Sequence, residues 1–259
     1  VTATQSVALR VCDVGWQPPA GPPVLEQVSF DVEPGEFVAV MGRNGAGKST
    51  LLDVTAGLRR PTQGTVTLVG RPLDEWHPTE RARVLAHLPQ MLRADLSVRA
   101  EALVLMGRYP HASRWFESDE DRAIAQDAMA RCECLEFRQR TLSSLSGGER
   151  QRVYLAACLA QHAKVLLLDE PATFLDVDQQ LQCFGVVREE ADRGAACLAV
   201  THDVNLALTF CTRLIVLADR GVARDVSTEA AIDDATWLDA FSARVRLERG
   251  PGGAWVRYR

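Results

Sequence analysis

Long apolar runs are missing from these 259 residues. No stretch approaches the ~18 apolar residues that a membrane-spanning helix needs, so work at a membrane would have to go through a partner. Val1-Thr2-Ala3-Thr4-Gln5 lacks the charged-then-apolar start of a secretory leader, and none is expected. A basic excess is missing too. The net charge of −5 argues against a dominant nucleic-acid surface, and no nucleic-acid partner is expected. Internal repeats and low-complexity tracts are absent. The seven cysteines (Cys12, Cys132, Cys134, Cys158, Cys183, Cys197, Cys211) show no paired framework. Cys132 and Cys134 lack the second pair that a zinc site requires, which suits a reduced, cytoplasmic setting.

What is present is ordinary globular material. With 47% hydrophobic and 24% charged residues the chain can bury a sizeable core. Its length is long for one domain and short for two, which suggests one α/β core with a substantial insertion. Residues 7–14, 25–32 and 64–70 alternate apolar and polar, as half-buried antiparallel strands do. Between the first two lies the proline-rich 16–23, which cannot be strand interior. The runs at 165–168, 196–200 and 214–218 are continuously apolar, as in parallel strands covered on both faces. Residues 91–145 show no comparable strand. They read as a helical insertion, with a helix starting near Ser118 and apolar Ala123, Ile124, Ala128 and Met129 at helical spacing.

The most informative stretch is Gly42-Arg43-Asn44-Gly45-Ala46-Gly47-Lys48-Ser49-Thr50, between the apolar Phe37-Val38-Ala39-Val40-Met41 and a helix start. Strand, glycine-rich loop and helix are the context of a phosphate-binding loop. Glycines let successive N–H groups turn toward one anion, and the helix N-terminus adds partial positive charge. Lys48 can reach outer phosphates, and Ser49 can ligate Mg²⁺. Taken alone, the loop says nucleotide without naming a reaction.

Three further constellations extend it. Val165-Leu166-Leu167-Leu168 runs into Asp169-Glu170-Pro171. A carboxylate ending a buried strand is costly unless paired or bound to a cation. Asp169 can hold Mg²⁺, and Glu170 can deprotonate an attacking water. His202 follows the run 196–200. A lone histidine after a strand is more often structural, but three strand-like runs ending in Gly42, Asp169-Glu170 and His202 favour a shared ligand edge. Ser146-Gly147-Gly148 opens a helix carrying Val153, Ala156, Ala157 and Ala160. By itself this is either a capped helix or a second anion-binding helix end.

Together these pieces resemble the nucleotide-binding subunit of an ABC (ATP-binding cassette) transporter, over about residues 7–225. Residues 42–50 match the Walker A loop, 165–170 Walker B with its catalytic glutamate, and 145–151 the signature motif that distinguishes the family. Gln90 matches the Q-loop glutamine that senses Mg²⁺ and the membrane partner. Phe174-Leu175-Asp176 matches the D-loop and His202 the switch histidine, and Trp16 is the candidate for stacking on adenine. The resemblance implies two ATP molecules, with Mg²⁺, sandwiched between two head-to-tail copies of the chain. Lys48, Ser49, Gln90, Asp169, Glu170 and His202 of one copy would face Ser146, Gly147 and Gly148 of the other.

Met106-Gly107-Arg108-Tyr109-Pro110-His111 resembles a segment of the ATPases of ferric siderophore, heme and vitamin B12 importers, where the family meets its permease. His111 has no second ligand spaced for a metal. The implied fold is an α/β P-loop NTPase core, mostly parallel sheet with flanking helices, plus an antiparallel β layer and a helical subdomain. The expected division is 1–90 (β layer and Walker A part), 91–145 (helical subdomain), 146–225 (signature helix and remaining core) and 226–259 (a C-terminal extension whose Trp237, Phe241, Trp255 and Tyr258 pack on the core). The implied partners are a second copy, an integral membrane permease and, indirectly, a substrate-binding protein, at the cytoplasmic face of the membrane. An ATPase of another transporter subclass and a soluble ATPase of iron–sulfur assembly remain alternatives. The coiled coils of repair proteins and the tandem cassettes of translation factors are not seen in this sequence.

Overall fold

The computed structural model describes residues 7–90, 97–111, 118–242, 244–250 and 253–258. The start at Val1-Thr2-Ala3-Thr4-Gln5, parts of the 91–145 insertion and the Tyr258 side chain lie outside the described residues.

Two sheets carry the fold. In the antiparallel one, β1 (Leu9–Trp16) is flanked by β2 (Leu25–Val32) and β4 (Gln63–Leu68), with the short β5 (Arg71–Pro72) outermost. The alternation read in the sequence puts Leu9, Val11, Val14, Val28, Val32, Val66 and Leu68 inside. The larger sheet contains β3 (Phe37–Gly42), β6 (Leu85–Leu88), β7 (Val165–Asp169), β8 (Ala196–Val200), β9 (Arg213–Ala218) and β10 (Gly221–Ser227), in the order β10-β9-β3-β8-β7-β6. All of its pairings are parallel except β10 with β9. Every residue of β3, β7 and β8 is buried, because helices cover one face and the antiparallel layer the other.

The helices are α1 (Lys48–Thr55), α2 (Pro78–Ala82), α3 (Ala100–Met106), α4 (Asp119–Arg131), α5 (Gly147–Ala160), α6 (Val177–Asp192), α7 (Val204–Phe210), α8 (Thr228–Asp233) and α9 (Leu238–Phe241). α3 and α4 pack against α5. α4 begins at a capping box in which Ser118 accepts from the Asp121 N–H and the Asp121 carboxylate accepts from Ser118 N–H. Its inner face is Ala125, Ala128 and Met129, whereas Ala123 is exposed. Ile124 is half-buried against the core, so of the four positions expected on this face only Ala123 turns to solvent.

A hairpin of β11 (Val245–Gly250) and β12 (Gly253–Tyr258) packs on α7. In this extension Trp237 is fully buried, its indole N–H donating to the Ala231 carbonyl, and Phe241 is half-buried against the core. Trp255 departs from expectation. It stands exposed beside Gly250, because its β12 neighbour Val256 takes the inward position. Six of the cysteines are buried and unbridged, and Cys12 is exposed.

Candidate functional site

Parallel β3, β7 and β8 deliver Gly42, Asp169 and the turn before His202 to one edge of the sheet. The loop after β3 depends on glycine. Gly42 (φ +148°) and Gly47 (φ +93°) adopt angles other residues avoid. A Cβ at Gly42 would stand 2.5 Å from the Leu217 carbonyl oxygen, and one at Gly47 2.8 Å from Leu25 Cδ2. Lys48, the first residue of α1, folds back across this loop and donates from Nζ to the carbonyls of Gly42 (2.9 Å) and Arg43 (3.1 Å). Burial pulls its pKa down, and the charges of Glu170 and Asp169 oppose that.

Asn44, Gly45, Gly47, Lys48, Ser49, Thr50, Gln90, Glu170 and His202 line one cavity of about 690 Å³, together with Val24. That is the size of a small-molecule site. Asp169, next in the chain to the lining residue Glu170, is buried, with Oδ1 lacking any hydrogen-bond partner. Burial raises its pKa, a hydrogen bond from Ser49 lowers it, and the charge of Glu170 raises it further. An orphaned buried carboxylate oxygen beside a serine hydroxyl is a donor set suited to a hard divalent cation. Among the described residues no group of three or more His, Cys, Asp and Glu could hold a metal alone. A Mg²⁺ here would need ligands from a phosphate and from water, as Mg²⁺ sites usually have.

Glu170 is held from both sides. Its Oε1 lies 3.1 Å from His202 Nε2, and its Oε2 accepts from the Thr173 hydroxyl at 3.1 Å. Its backbone is left-handed, φ +52°.

Ser146, Gly147, Gly148 and Asp176 line a different cavity, of about 350 Å³, with Glu149, Arg152, Phe174 and Gln179. Ser146 caps α5 in a reciprocal box with Glu149, and Asp176 caps α6 by accepting from Gln179 N–H at 2.9 Å. The two cavities share no lining residue. Trp16 lines neither. It ends β1, half-buried, with its carbonyl accepting from Val24 N–H and the Arg59 guanidinium 4.7 Å above its ring. His111 Nε2 lies 2.8 Å from the Gln161 carbonyl. Sequence reading does not single out Thr173, and it includes Gln151 only as the last residue of the 145–151 motif, with no role of its own. For Gln151 a signal exists, since it is a polar residue on the buried stripe of α5 with Leu155, Cys158 and Leu159.

A family model described as ABC transporter matches residues 25–173. The chain belongs to the ABC transporter family. As an ABC-type ATPase it binds and hydrolyses ATP. The hemin import ATP-binding protein HmuV of Gloeobacter violaceus is 47% identical over 90% of this chain and 86% of the relative. HmuV of Pseudomonas putida is 40% identical, over 88% and 90%. The cobalamin import ATP-binding protein BtuD of Halobacterium salinarum is 42% identical over 90% of this ABC chain, which spans 58% of that relative's length. Among solved structures, a metal-chelate type ABC transporter in an inward-facing conformation superposes with TM-score 0.80 at 25% identity, over 98% of this chain and 97% of the other. A dimeric ATP-binding cassette in a post-hydrolysis state with ADP and Pi gives 0.77 at 26%, over 85% and 98%. Among the described residues no helix is long and apolar enough to cross a membrane.

Proposed function

We propose that this ATPase powers an importer, coupling ATP binding and hydrolysis to uptake of heme, cobalamin or a ferric siderophore through a separate membrane permease. A substrate-binding protein would deliver the cargo, and the chain would work at the cytoplasmic face of the membrane. The carrying observation is that one chain has two separate cavities at helix N-termini. One is lined by Lys48, Ser49, Glu170 and His202, with Asp169 buried beside Glu170; the other is lined by Ser146, Gly147, Gly148 and Asp176. A single helix terminus favours an exposed anion by only about 0.3–1 kcal/mol. Two copies arranged head to tail would bring the two halves onto one ATP.

In this reading residues 1–90 and 146–225 form the ATP-binding core, 91–145 meets the permease, and 226–259 is an extension. Trp16, bonded to the lining residue Val24 at the edge of the cavity, would supply the face for adenine on the side of its ring away from Arg59. Glycine-loop N–H groups, Lys48 and Thr50 hold the phosphates, with Asn44 at the mouth. Mg²⁺, held by Ser49 and Asp169 and monitored by Gln90, would neutralise phosphate charge. Glu170 takes the proton as water attacks the γ-phosphorus and the bond to the β-phosphate breaks, leaving ADP and inorganic phosphate. His202, 3.1 Å from Glu170 Oε1, keeps that carboxylate aimed into the cavity.

The test is uptake. The chain is purified with its co-purifying permease, placed in proteoliposomes, and offered heme, cobalamin and a ferric siderophore separately. ATP-dependent uptake of one of them, lost in Glu170→Gln, is expected. Recovery of the chain only in membrane-free complexes would sink the importer reading.

A further inference from the structure

Gln151 is 98% removed from solvent, on the first turns of α5, and nothing in the reaction as described uses it. Its side-chain amide reaches out of the signature helix to the chain beyond β7. Nε2 donates to the Pro171 carbonyl at 2.9 Å and makes a longer contact to the Glu170 carbonyl at 3.4 Å. The backbone it grips is the left-handed turn at Glu170, an angle that favours glycine and persists only where neighbours hold it. Three other bonds hold it: Glu170 N–H donates to the Val200 carbonyl, Thr173 N–H to the Glu170 carbonyl, and the Cys183 thiol, 3.5 Å away, to the Pro171 carbonyl. A second contact joins the same two elements: a Cβ at Gly148 would stand 2.8 Å from the Phe174 carbonyl oxygen. The helix that opens at Ser146 therefore bears on the 170–174 turn at two points.

We propose that Gln151 is a positioning residue for hydrolysis, fixing the strained turn of Glu170 from the signature helix. The helix whose N-terminus faces the partner copy's ATP is thereby tied to the general base at this copy's own ATP. This rests on the reading of Glu170 as the base. It adds that a buried amide, rather than the strand alone, aims that base. Burying an amide among carbonyls is justified only if its N–H groups are used, and here they are used on Glu170 and Pro171.

The test compares Gln151→Met, which keeps the length and removes the donor, with Gln151→Glu, which keeps the shape and reverses the polarity. Both are measured in the full chain, alone and combined with Glu170→Gln. In each, kcat should fall about ten- to a hundredfold, as for a small misplacement of a catalytic group, while KM for ATP and ATP-dependent dimerisation stay near wild type. With Glu170→Gln already present, neither Gln151 substitution should reduce the residual rate further, because its effect passes through Glu170. If one variant fails to fold, the other carries the comparison. A near wild-type kcat in either, or full additivity with Glu170→Gln, would overturn the proposal. High turnover in Glu170→Gln itself would instead overturn the base assignment.

Discussion

Asp169 ends a fully buried strand with one carboxylate oxygen unpaired, and that placement has measurable consequences. Burial raises its pKa above the ordinary carboxylate value, so a proton competes with a cation for the site. Lowering the pH through that raised pKa should weaken Mg²⁺ binding, and the Mg²⁺ concentration giving half-maximal ATPase should rise. Asp169→Asn should remove this pH dependence along with most of the affinity. Glu170→Gln should leave ATP binding intact and lower turnover by about a hundredfold or more, the range for a general base. Rapid-quench hydrolysis beside fluorescent-nucleotide binding checks it, and near wild-type hydrolysis would remove Glu170 from that role. At this scale the residues whose chemistry is local were legible. Lys48 and Glu170 announce themselves by type and by the strand each follows. Gln151 was not legible in its role, because its amide gains an acceptor only when backbone 20 residues on folds against it, and Thr173 was not, because its hydroxyl meets the Glu170 carboxylate only through the left-handed turn between them.

Elements were legible where their hydrophobic period was strong. β3, β7, β8 and β9 are continuous apolar runs, and β1, β2 and β4 alternate; each was read directly. β6 has only Leu85–Leu88 before Pro89, too short to show a period. β10 and the β11–β12 hairpin lie at the rim with half-exposed side chains, so pairing rather than burial pattern defines them. Caps carry part of the stability of the helical insertion. Ser118 first, then Arg108, hold the Asp121 carboxyl below the ordinary carboxylate range at the start of α4. A depressed folded pKa gives stability that is present above the unfolded value and lost as pH falls through the folded one. Asp121→Asn should therefore lower the urea midpoint at neutral pH, with the gap to wild type narrowing as pH drops through the carboxylate range. Ser118→Ala should cost about 1 kcal/mol at neutral pH, as loss of a serine N-cap usually does. Unchanged midpoints in both variants would assign the start of α4 to packing alone.

At the scale of the molecule, the same chain presents a cavity with the lysine, carboxylates and histidine, and a second cavity at the start of α5. In the proposed account a second copy closes over each ATP, which is why one chain would carry both. The substitution that probes this most directly is Gly147→Asp. An acid in the first turn suits the helix, and the nearest atoms to a Cβ there are those of the Phe174 side chain, at 3.4 Å. It would nevertheless place negative charge against the partner's phosphates. The decisive measurement is analytical ultracentrifugation of Glu170→Gln with ATP and Mg²⁺, with and without Gly147→Asp. The account predicts an ATP-dependent dimer for Glu170→Gln alone, and for the double variant a monomer that still binds ATP with near wild-type affinity. A dimer that survives Gly147→Asp, or ATP affinity lost within the monomer, would contradict a site shared between two copies.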